Sequence, residues 1–192
     1  MIILIIIMSV TYVSLFEYIL HCWLMHRPVG ALTYPFRAHA LTHHRIFKAD
    51  ETYHLKDEKD KRTIPMAWWN ILVLLPILAI IPAIAALASG DWWMLIIPLI
   101  VGALYYGTYE YIHWCMHLPR PRKRLMKRAW IVGWIFYRLN GHHLLHHRYM
   151  GKNFNVVFPL WDALLGTLRL RSKIRFAQAR GPCVPDVQPR SS

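Results

Sequence analysis

The sequence predicts an all-α integral membrane protein, a bundle of about three to four transmembrane helices with a histidine-lined cap on its cytoplasmic side. Three observations support this fold class. Apolar residues make up 56% of the 192-residue chain and are concentrated in three long runs. All 23 Lys and Arg residues lie outside those runs. Ten of the twelve histidines form four short groups.

The three apolar runs cover residues 1–22, 66–88 and 92–112. Each has about 20 residues, the length that an α-helix needs to cross a hydrocarbon core about 30 Å thick. The first run has no basic residue before it and no small-residue cleavage site after it, which indicates a membrane helix rather than a signal peptide. Prolines inside the second and third runs are compatible with this assignment, because membrane helices tolerate them.

The remaining segments are short or polar. Residues 89–91, Ser-Gly-Asp, predict a tight turn between the second and third spans. Residues 130–139 are apolar and aromatic but too short to span, so they predict an interfacial helix. Residues 153–170 predict a loop and a short helix packed under the histidines. The chain therefore divides into a membrane domain over 1–170 and a basic tail over 171–192, which is expected to be disordered.

The basic residues determine the expected topology. A formal net charge of +13 is typical of nucleic-acid-binding proteins. Here, however, Lys and Arg lie only in 27–63 and 118–190 and form no recognition motif, so nucleic acid is not an expected partner. This segregation follows the positive-inside rule. With three crossings, we expect the N-terminus outside, and the histidine groups and the C-terminus in the cytoplasm.

The histidine groups have the spacing of metal ligands. His113 and His117 are four residues apart and share one face of a helix. His21 and His26 are five apart and point about 140° apart on an ideal α-helix, so they meet one centre only if the helix ends or distorts between them. The candidate metal ligands are His21, His26, His39, His43, His44, His113, His117, His143, His146 and His147.

The other two groups predict the following faces. His39 and His43 are four apart, and His44 is turned about 100° away from His43. His143, His146 and His147 have the spacing i, i+3 and i+4, which predicts that they share one face of a helix. His142 is an alternative ligand in that group. His54 stands apart and is expected to be an exposed residue of a charged loop.

The number of histidines predicts two metal ions. A mononuclear zinc site takes at most four protein ligands, whereas ten imidazoles suit two ions with about five nitrogens each. An all-nitrogen, neutral shell favours an iron pair, for which zinc is able to substitute during purification. Glu17 precedes His21 by one turn, and Glu110 precedes His113. Each carboxylate is predicted to accept the second ring N–H of a ligand, with direct ligation or packing as alternatives.

At these residues the sequence resembles the fatty acid hydroxylase / sterol desaturase superfamily of membrane di-iron enzymes. The family's four boxes, H-x(3–4)-H, H-x(2–3)-H-H, H-x(3)-H and H-x(2–3)-H-H, occur here in that order. Residues 158–168, FPLWDALLGTL, resemble its W-D-x-x-x-G-T ending, and the resemblance covers roughly 15–170. It implies hydroxylation or desaturation of an unactivated C–H bond of a fatty-acyl, sterol-like or other bilayer lipid, with O₂ as co-substrate.

The resemblance also implies roles for other residues. The ten histidines would be the ligands, and Asp162 would orient a ligand histidine or close the site, with a helix N-cap as the alternative. The reductant is expected to be a separate electron-donor protein of the ferredoxin or cytochrome type. A basic face is predicted to dock this acidic partner or anionic lipid. It consists of Arg122, Lys123, Arg124, Lys127 and Arg128.

Other interpretations remain open at this point. A carotenoid hydroxylase also carries histidine boxes on a small chain, although its boxes are spaced differently. A histidine-rich membrane metal transporter is the non-enzyme alternative. Transporters usually carry polar residues near the middle of their spans, and the middles of 66–88 and 92–108 carry none. A bis-histidine haem protein needs one axial pair, not four boxes.

Overall fold

A computed structural model describes residues 1–119 and 130–170, and this part of the chain is helical throughout its regular elements. The α-helices are α1 (Ile2–Ile19), α2 (Tyr34–Ala38), α3 (His44–Ile46), α4 (Asn70–Ser89), α5 (Trp93–His117), α6 (Trp130–Arg148) and α7 (Leu160–Leu164). Two π-helical turns occur, one continuing α1 over Leu20–Met25 and one joining α2 to α3 over His39–His43. Short 3₁₀ helices, Glu51–Tyr53 and Glu58–Thr63, lie in the loop before α4.

Two sequence predictions concern residues outside the described ranges. The predicted disordered tail over 171–192 lies there, as does the predicted docking face that runs from Arg122 to Arg128.

Three helical stretches are long and apolar enough to cross a membrane, namely Ile2–Met25, Asn70–Ser89 and Trp93–His117. They confirm the three predicted spans. Both α1 and α4 pack along α5. Large apolar side chains on the outer faces, such as Leu72 and Leu104, are more than half exposed. An outward apolar surface of this kind is suited to contact with lipid chains rather than water.

The predicted turn between α4 and α5 is present and depends on Gly90. Its φ of +72° lies in the left-handed region that glycine adopts without a steric cost. The Gly90 amide donates to the Ala86 carbonyl at 2.9 Å, which closes the end of α4. The Asp91 carboxylate accepts from the Trp93 amide at 3.0 Å and so caps the start of α5.

Pro82 leaves an unpaired carbonyl inside α4, because proline has no N–H to donate to residue 78. Tyr12 of α1 supplies the missing donor: its hydroxyl lies 2.9 Å from the Leu78 carbonyl oxygen. A lipid cannot provide such a donor, so the neighbouring helix must. This bond holds the backbone of α4 against α1 at mid-span.

Helix α6 is longer than expected. The segment 130–139, predicted to be an interfacial helix, is the first half of α6, which continues from Trp130 to Arg148 and carries the last histidine box. Residues 140–148 contain no proline that would end the helix earlier. Its first turns expose Trp130 and Trp134, whereas His143, His146 and His147 are buried.

The last described segment forms the loop and short helix expected for 153–170, and α7 packs against α1. Trp161 donates through Nε1 to the Thr11 carbonyl at 3.0 Å. Gly166, with φ +70°, turns the chain back. As a result the amides of Thr167 and Leu168 donate to the Asp162 carbonyl at 2.9 and 2.7 Å. The W-D-x-x-x-G-T residues thus close the loop on itself and fasten it to α1.

Replacing Tyr12 with Phe is expected to reduce the free energy of unfolding by about 0.5–2 kcal/mol, because the Leu78 carbonyl would lose its donor. Unfolding of the detergent-solubilised protein, followed by circular dichroism, measures the change. Tyr34→Phe is the matched control, since Tyr34 is exposed and its ring packs 5.2 Å from that of Trp69. Equal stability of the two variants would contradict the role given to Tyr12.

Candidate metal centre

All ten candidate histidines converge at one end of the bundle, where α1 and α5 end and α4 begins. They divide into two groups, and within each group one nitrogen per ring lies within 4.8 Å of all the others. Nine of the ten rings are buried, and His26 is half-buried. Group 1 consists of His21, His26, His39, His44 and His146, and group 2 of His43, His113, His117, His143 and His147.

The nitrogen spacing in group 1 fits a common ion. The Nε2 atom of His39 lies 2.9 Å from that of His21 and 3.1 Å from that of His44. The Nε2 atoms of His26 and His146 are 3.0 Å apart. Two nitrogens about 2.1 Å from one ion and about 90° apart would be separated by about 3.0 Å. The rings are therefore arranged as neighbouring ligands of a single metal.

Group 2 has the same spacing, and two of its Nε2 atoms are unpaired among the described residues. His143 Nε2 lies 2.9 Å from that of His147 and 3.2 Å from that of His117. The Nε2 atoms of His43 and His113 are buried and have no hydrogen-bond partner among the described residues. Buried polar nitrogens are normally paired, so these two indicate a ligand that the protein itself does not provide. A metal ion fits this donor set.

The two π-helical turns explain why residues five apart share a group. In a π turn the backbone bonds run from i to i+5, which brings those side chains onto one face. His21 and His26 flank the turn at the end of α1, and this turn is the distortion that their spacing required. The second turn places His39 and His44 together in group 1 and directs His43 to group 2. His39 and His43, although four residues apart, therefore belong to different groups.

The last box is divided as well. His143 and His147 are four residues apart on α6 and both belong to group 2. His146 belongs to group 1, because adjacent residues on an α-helix point about 100° apart. All three rings are buried, as expected for residues on one inward face, but that face serves both groups. Helix α6 contributes candidate ligands to each group, whereas His113 and His117 stay together in group 2.

Backbone carbonyls orient the rings of group 1. The Nδ1 of His21 contacts the Phe154 carbonyl, and that of His146 donates to the Lys152 carbonyl at 2.8 Å. Both carbonyls belong to the loop between α6 and α7. A ring that donates through Nδ1 presents an unprotonated Nε2, the form in which imidazole binds metal.

A second loop does the same for group 2. His43 donates through Nδ1 to the Thr63 carbonyl at 3.1 Å, and His117 to the Tyr53 carbonyl at 2.8 Å. His147 donates to the Phe47 carbonyl at 2.5 Å. These partners are not predictable from the sequence, because every residue has a carbonyl and no side-chain pattern indicates which one is used.

Asp162 holds the loop that serves group 1. It is fully buried and accepts from the amides of Phe154 and Asn155, both at 2.8 Å. It also accepts from Thr167 Oγ1 at 2.7 Å and lies 3.3 Å from Nε2 of His142. Burial raises the pKa of this carboxyl, but these hydrogen bonds outweigh it and leave the pKa below its ordinary value. Asp162 therefore acts on His21 through the Phe154 backbone.

His142 and His54 lie outside both groups. His142 pairs with Asp162 rather than with the ligand nitrogens. His54 is half-buried rather than exposed as expected, because Tyr53 and Leu55 beside it are core residues. The W-D-x-x-x-G-T aspartate is not a helix N-cap either, since it lies within α7 and Pro159 precedes that helix.

The two glutamates have partners other than ligand rings. Glu17 accepts from Tyr105 Oη at 2.6 Å, from Asn155 Nδ2 at 3.0 Å and from the Val156 amide at 2.6 Å. Glu110 accepts from the Met66 amide at 3.2 Å. The expected contacts with histidine N–H groups are thus corrected. Helical side chains point towards the N-terminus, so each carboxylate extends away from the histidine that follows it.

Burial keeps the ligand rings outside the spans neutral. It lowers the pKa of His43 from 6.5 to about 4. Burial, reinforced by the nearby His146, lowers the pKa of His26 to about 3. The pKa values of His39, His44, His143, His146 and His147 also lie well below the ordinary value, mainly through burial. Neutral rings are competent to bind metal without first losing a proton.

Two adjoining cavities reach the histidines. The outer cavity, of about 360 Å³, is lined by His39 of group 1 and by His43 and His113 of group 2, and Arg62 lies at its wall. The inner cavity, of about 70 Å³, lies between α1, α4 and α5 and is lined almost wholly by apolar and aromatic side chains. Residues shared by both linings are Leu20, Met25, Met66, Leu74 and Tyr109.

A family model described as fatty acid hydroxylase matches residues 6–167 of the chain. The match includes all ten candidate histidines, most of the first span, all of the other two spans and the W-D-x-x-x-G-T segment. Searches for a similar curated protein and for a similar solved structure found no match.

His43→Ala and His44→Ala test the division into two groups, since these neighbours belong to different ones. Each variant is expected to lose about one of two bound ions, and the double variant both, because each loses a ligand of a separate site. Elemental analysis of detergent-purified protein measures the metal content per chain. His54→Ala, outside both groups, is expected to retain both ions. Unchanged metal content in all variants would rule out the assignment.

The metal-free protein is expected to lose stability as the pH falls from about 6.5 towards about 4, the ordinary and folded-state pKa values of His43. In this pH interval the histidines of the unfolded chain bind protons, whereas the buried rings of the folded chain stay unprotonated, so acid favours unfolding. Above this interval the stability is fully retained. Unfolding experiments across this pH range measure the effect. His43→Gln should show a shallower dependence. Constant stability throughout would contradict the assigned burial.

Proposed function

Because the chain belongs to the fatty acid hydroxylase family, we propose that it is an O₂-dependent membrane oxygenase acting on a lipid. The proposed reaction is hydroxylation, or desaturation, of an unactivated C–H bond at a di-iron centre. The observation that carries the proposal is that ligands of both histidine groups line one cavity at the end of three membrane spans.

The donor set supports iron as the metal. Five imidazoles in each group form a shell without thiolates, and imidazole nitrogens suit iron as well as zinc and copper. Two iron ions bound there would supply O₂ activation and removal of hydrogen from carbon. The protein's own contribution is to hold the rings and exclude water, because nine of them are buried and several are oriented by loop carbonyls.

The cavities support a lipid as the substrate. The inner cavity is apolar and lies between membrane helices, so it suits a hydrocarbon chain. The outer cavity carries Arg62, Thr63 and Thr42 and suits a polar end. In this arrangement the carbon beside His43 and His113 is the one presented to the metals. A carotenoid would also be apolar, and it remains the alternative substrate.

We further propose a separate electron-donor protein and a cytoplasmic location for the histidine end. The segment 27–63, which contains Lys and Arg, includes three of the candidate ligands, which supports the orientation. A ferredoxin- or cytochrome-type donor would then reach the centre from the cytoplasm.

The decisive experiment compares cells expressing the wild type with cells expressing the His43→Ala/His44→Ala double variant under isotopically heavy O₂. Lipid and carotenoid extracts are analysed by mass spectrometry. Wild-type cells are expected to contain a lipid with one heavy oxygen, or with a pair of hydrogens fewer, that the double variant lacks. The His54→Ala variant should retain this product. Identical profiles in all cells would contradict the proposed oxygenase, and a product confined to carotenoids would select the alternative.

A further inference from the structure

The inner cavity has a defined far end. Each of the three spans contributes residues to the lining of the inner cavity. On each span, a residue that also lines the outer cavity lies near the histidines, and the lining residue farthest from the histidines lies deeper in the bundle. The shared and deep residues are Leu20 and Val13 on α1, Leu74 and Leu78 on α4, and Tyr109 and Gly102 on α5. Seven residues separate the pair on α5, which is about 10 Å along a helix.

At this far end α4 and α5 are in close contact. A Cβ atom at Gly102 would lie 2.4 Å from Cδ2 of Leu78 and 3.4 Å from Cδ2 of Leu75. The first distance is far inside van der Waals contact, so any larger residue at 102 requires Leu78 to move. The backbone of Leu78 is held by the hydroxyl of Tyr12 at 2.9 Å, which leaves the side chain as the part that shifts.

The space next to Leu78 is the inner cavity. The side chain of Leu78 is only 3% exposed, so it is enclosed by protein, and it lines the cavity together with Gly102. A displaced Leu78 side chain therefore takes up room in which the end of a hydrocarbon chain would lie. The absence of a side chain at Gly102 keeps that room open.

We propose that the contact between Gly102 and Leu78 forms the floor of the lipid-tail site and sets the longest chain that the protein accepts. This inference rests on the proposed function for the identity of the ligand and deepens it. It makes Gly102 and Leu78 specificity-determining residues, about three turns of helix away from the ligand histidines. Neither residue takes part in metal binding.

The test uses saturated fatty alcohols that differ only in chain length. Their binding to the purified full chain is measured by native mass spectrometry in one competing mixture. Gly102→Ala is expected to shift the preferred length to shorter chains, and Leu78→Ala to longer ones. Each methylene excluded or admitted should change relative affinity by about fourfold. The Gly102→Ala/Leu78→Ala double variant is expected to return towards the wild-type preference.

Gly107→Ala is the matched control. Gly107 lies on the same helix, is exposed, and a Cβ there would meet nothing within 4 Å. It reports the effect of a glycine-to-alanine change in α5 without any effect on the cavity. An unchanged length preference in both Gly102→Ala and Leu78→Ala would overturn the proposal. If Gly102→Ala fails to fold, the shift to longer chains in Leu78→Ala decides it alone.

Because the readout is binding, it is independent of turnover. Length-selective binding that follows these two residues, in a protein that oxidises no lipid, would sustain this inference and remove the proposed oxygenase. A protein that oxidises lipid, but binds chains of the same preferred length in every variant, would sustain the proposed oxygenase and overturn this inference.

Discussion

Ten imidazoles that share two small volumes must all be neutral and must all direct a bare nitrogen inwards. For five of the rings, hydrogen bonds from Nδ1 to loop carbonyls satisfy this requirement, as between His117 and Tyr53 or between His146 and Lys152. They use no charged partner, which would be costly to bury beside the membrane. The two loops that supply the carbonyls are in turn anchored from the spans, with Glu17 and Glu110 holding backbone amides.

The spans therefore do more than fix the protein in a bilayer. Their inner faces satisfy their own polar groups, as when Tyr12 bonds the carbonyl that Pro82 leaves free. This allows the remaining interior to be apolar. The result is a lipid-compatible cavity that runs from the histidine groups to mid-membrane, with its floor at Gly102 and Leu78. The chemistry proposed for the cap and the substrate proposed for the cavity thus depend on the same three helices.

Much of this arrangement could be predicted from the amino-acid sequence. Hydrophobic run length predicts the spans because a bilayer has one thickness, and clustered histidines predict metal binding because so many buried imidazoles have no other common use. Side-chain partners were less accessible. The glutamates were assigned to the ligand rings from helical spacing alone, yet spacing does not say which way a carboxylate extends or what backbone lies within its reach. Asp162 likewise acts through a loop that folds back from beyond α6.

The membrane class, the ten candidate ligands and the family resemblance follow from the amino-acid sequence, since composition, run length and box spacing are local properties. The division of the histidines into two groups follows from the fold instead. His43 and His44 are adjacent in the chain, as are His146 and His147, yet the members of each pair belong to different groups. The physical reason is local backbone geometry: π turns bring residues five apart onto one face, while the α-helical α6 separates neighbours by about 100°. The division of the histidines depends on packing between segments more than a hundred residues apart, and the spacing within each box does not predict it.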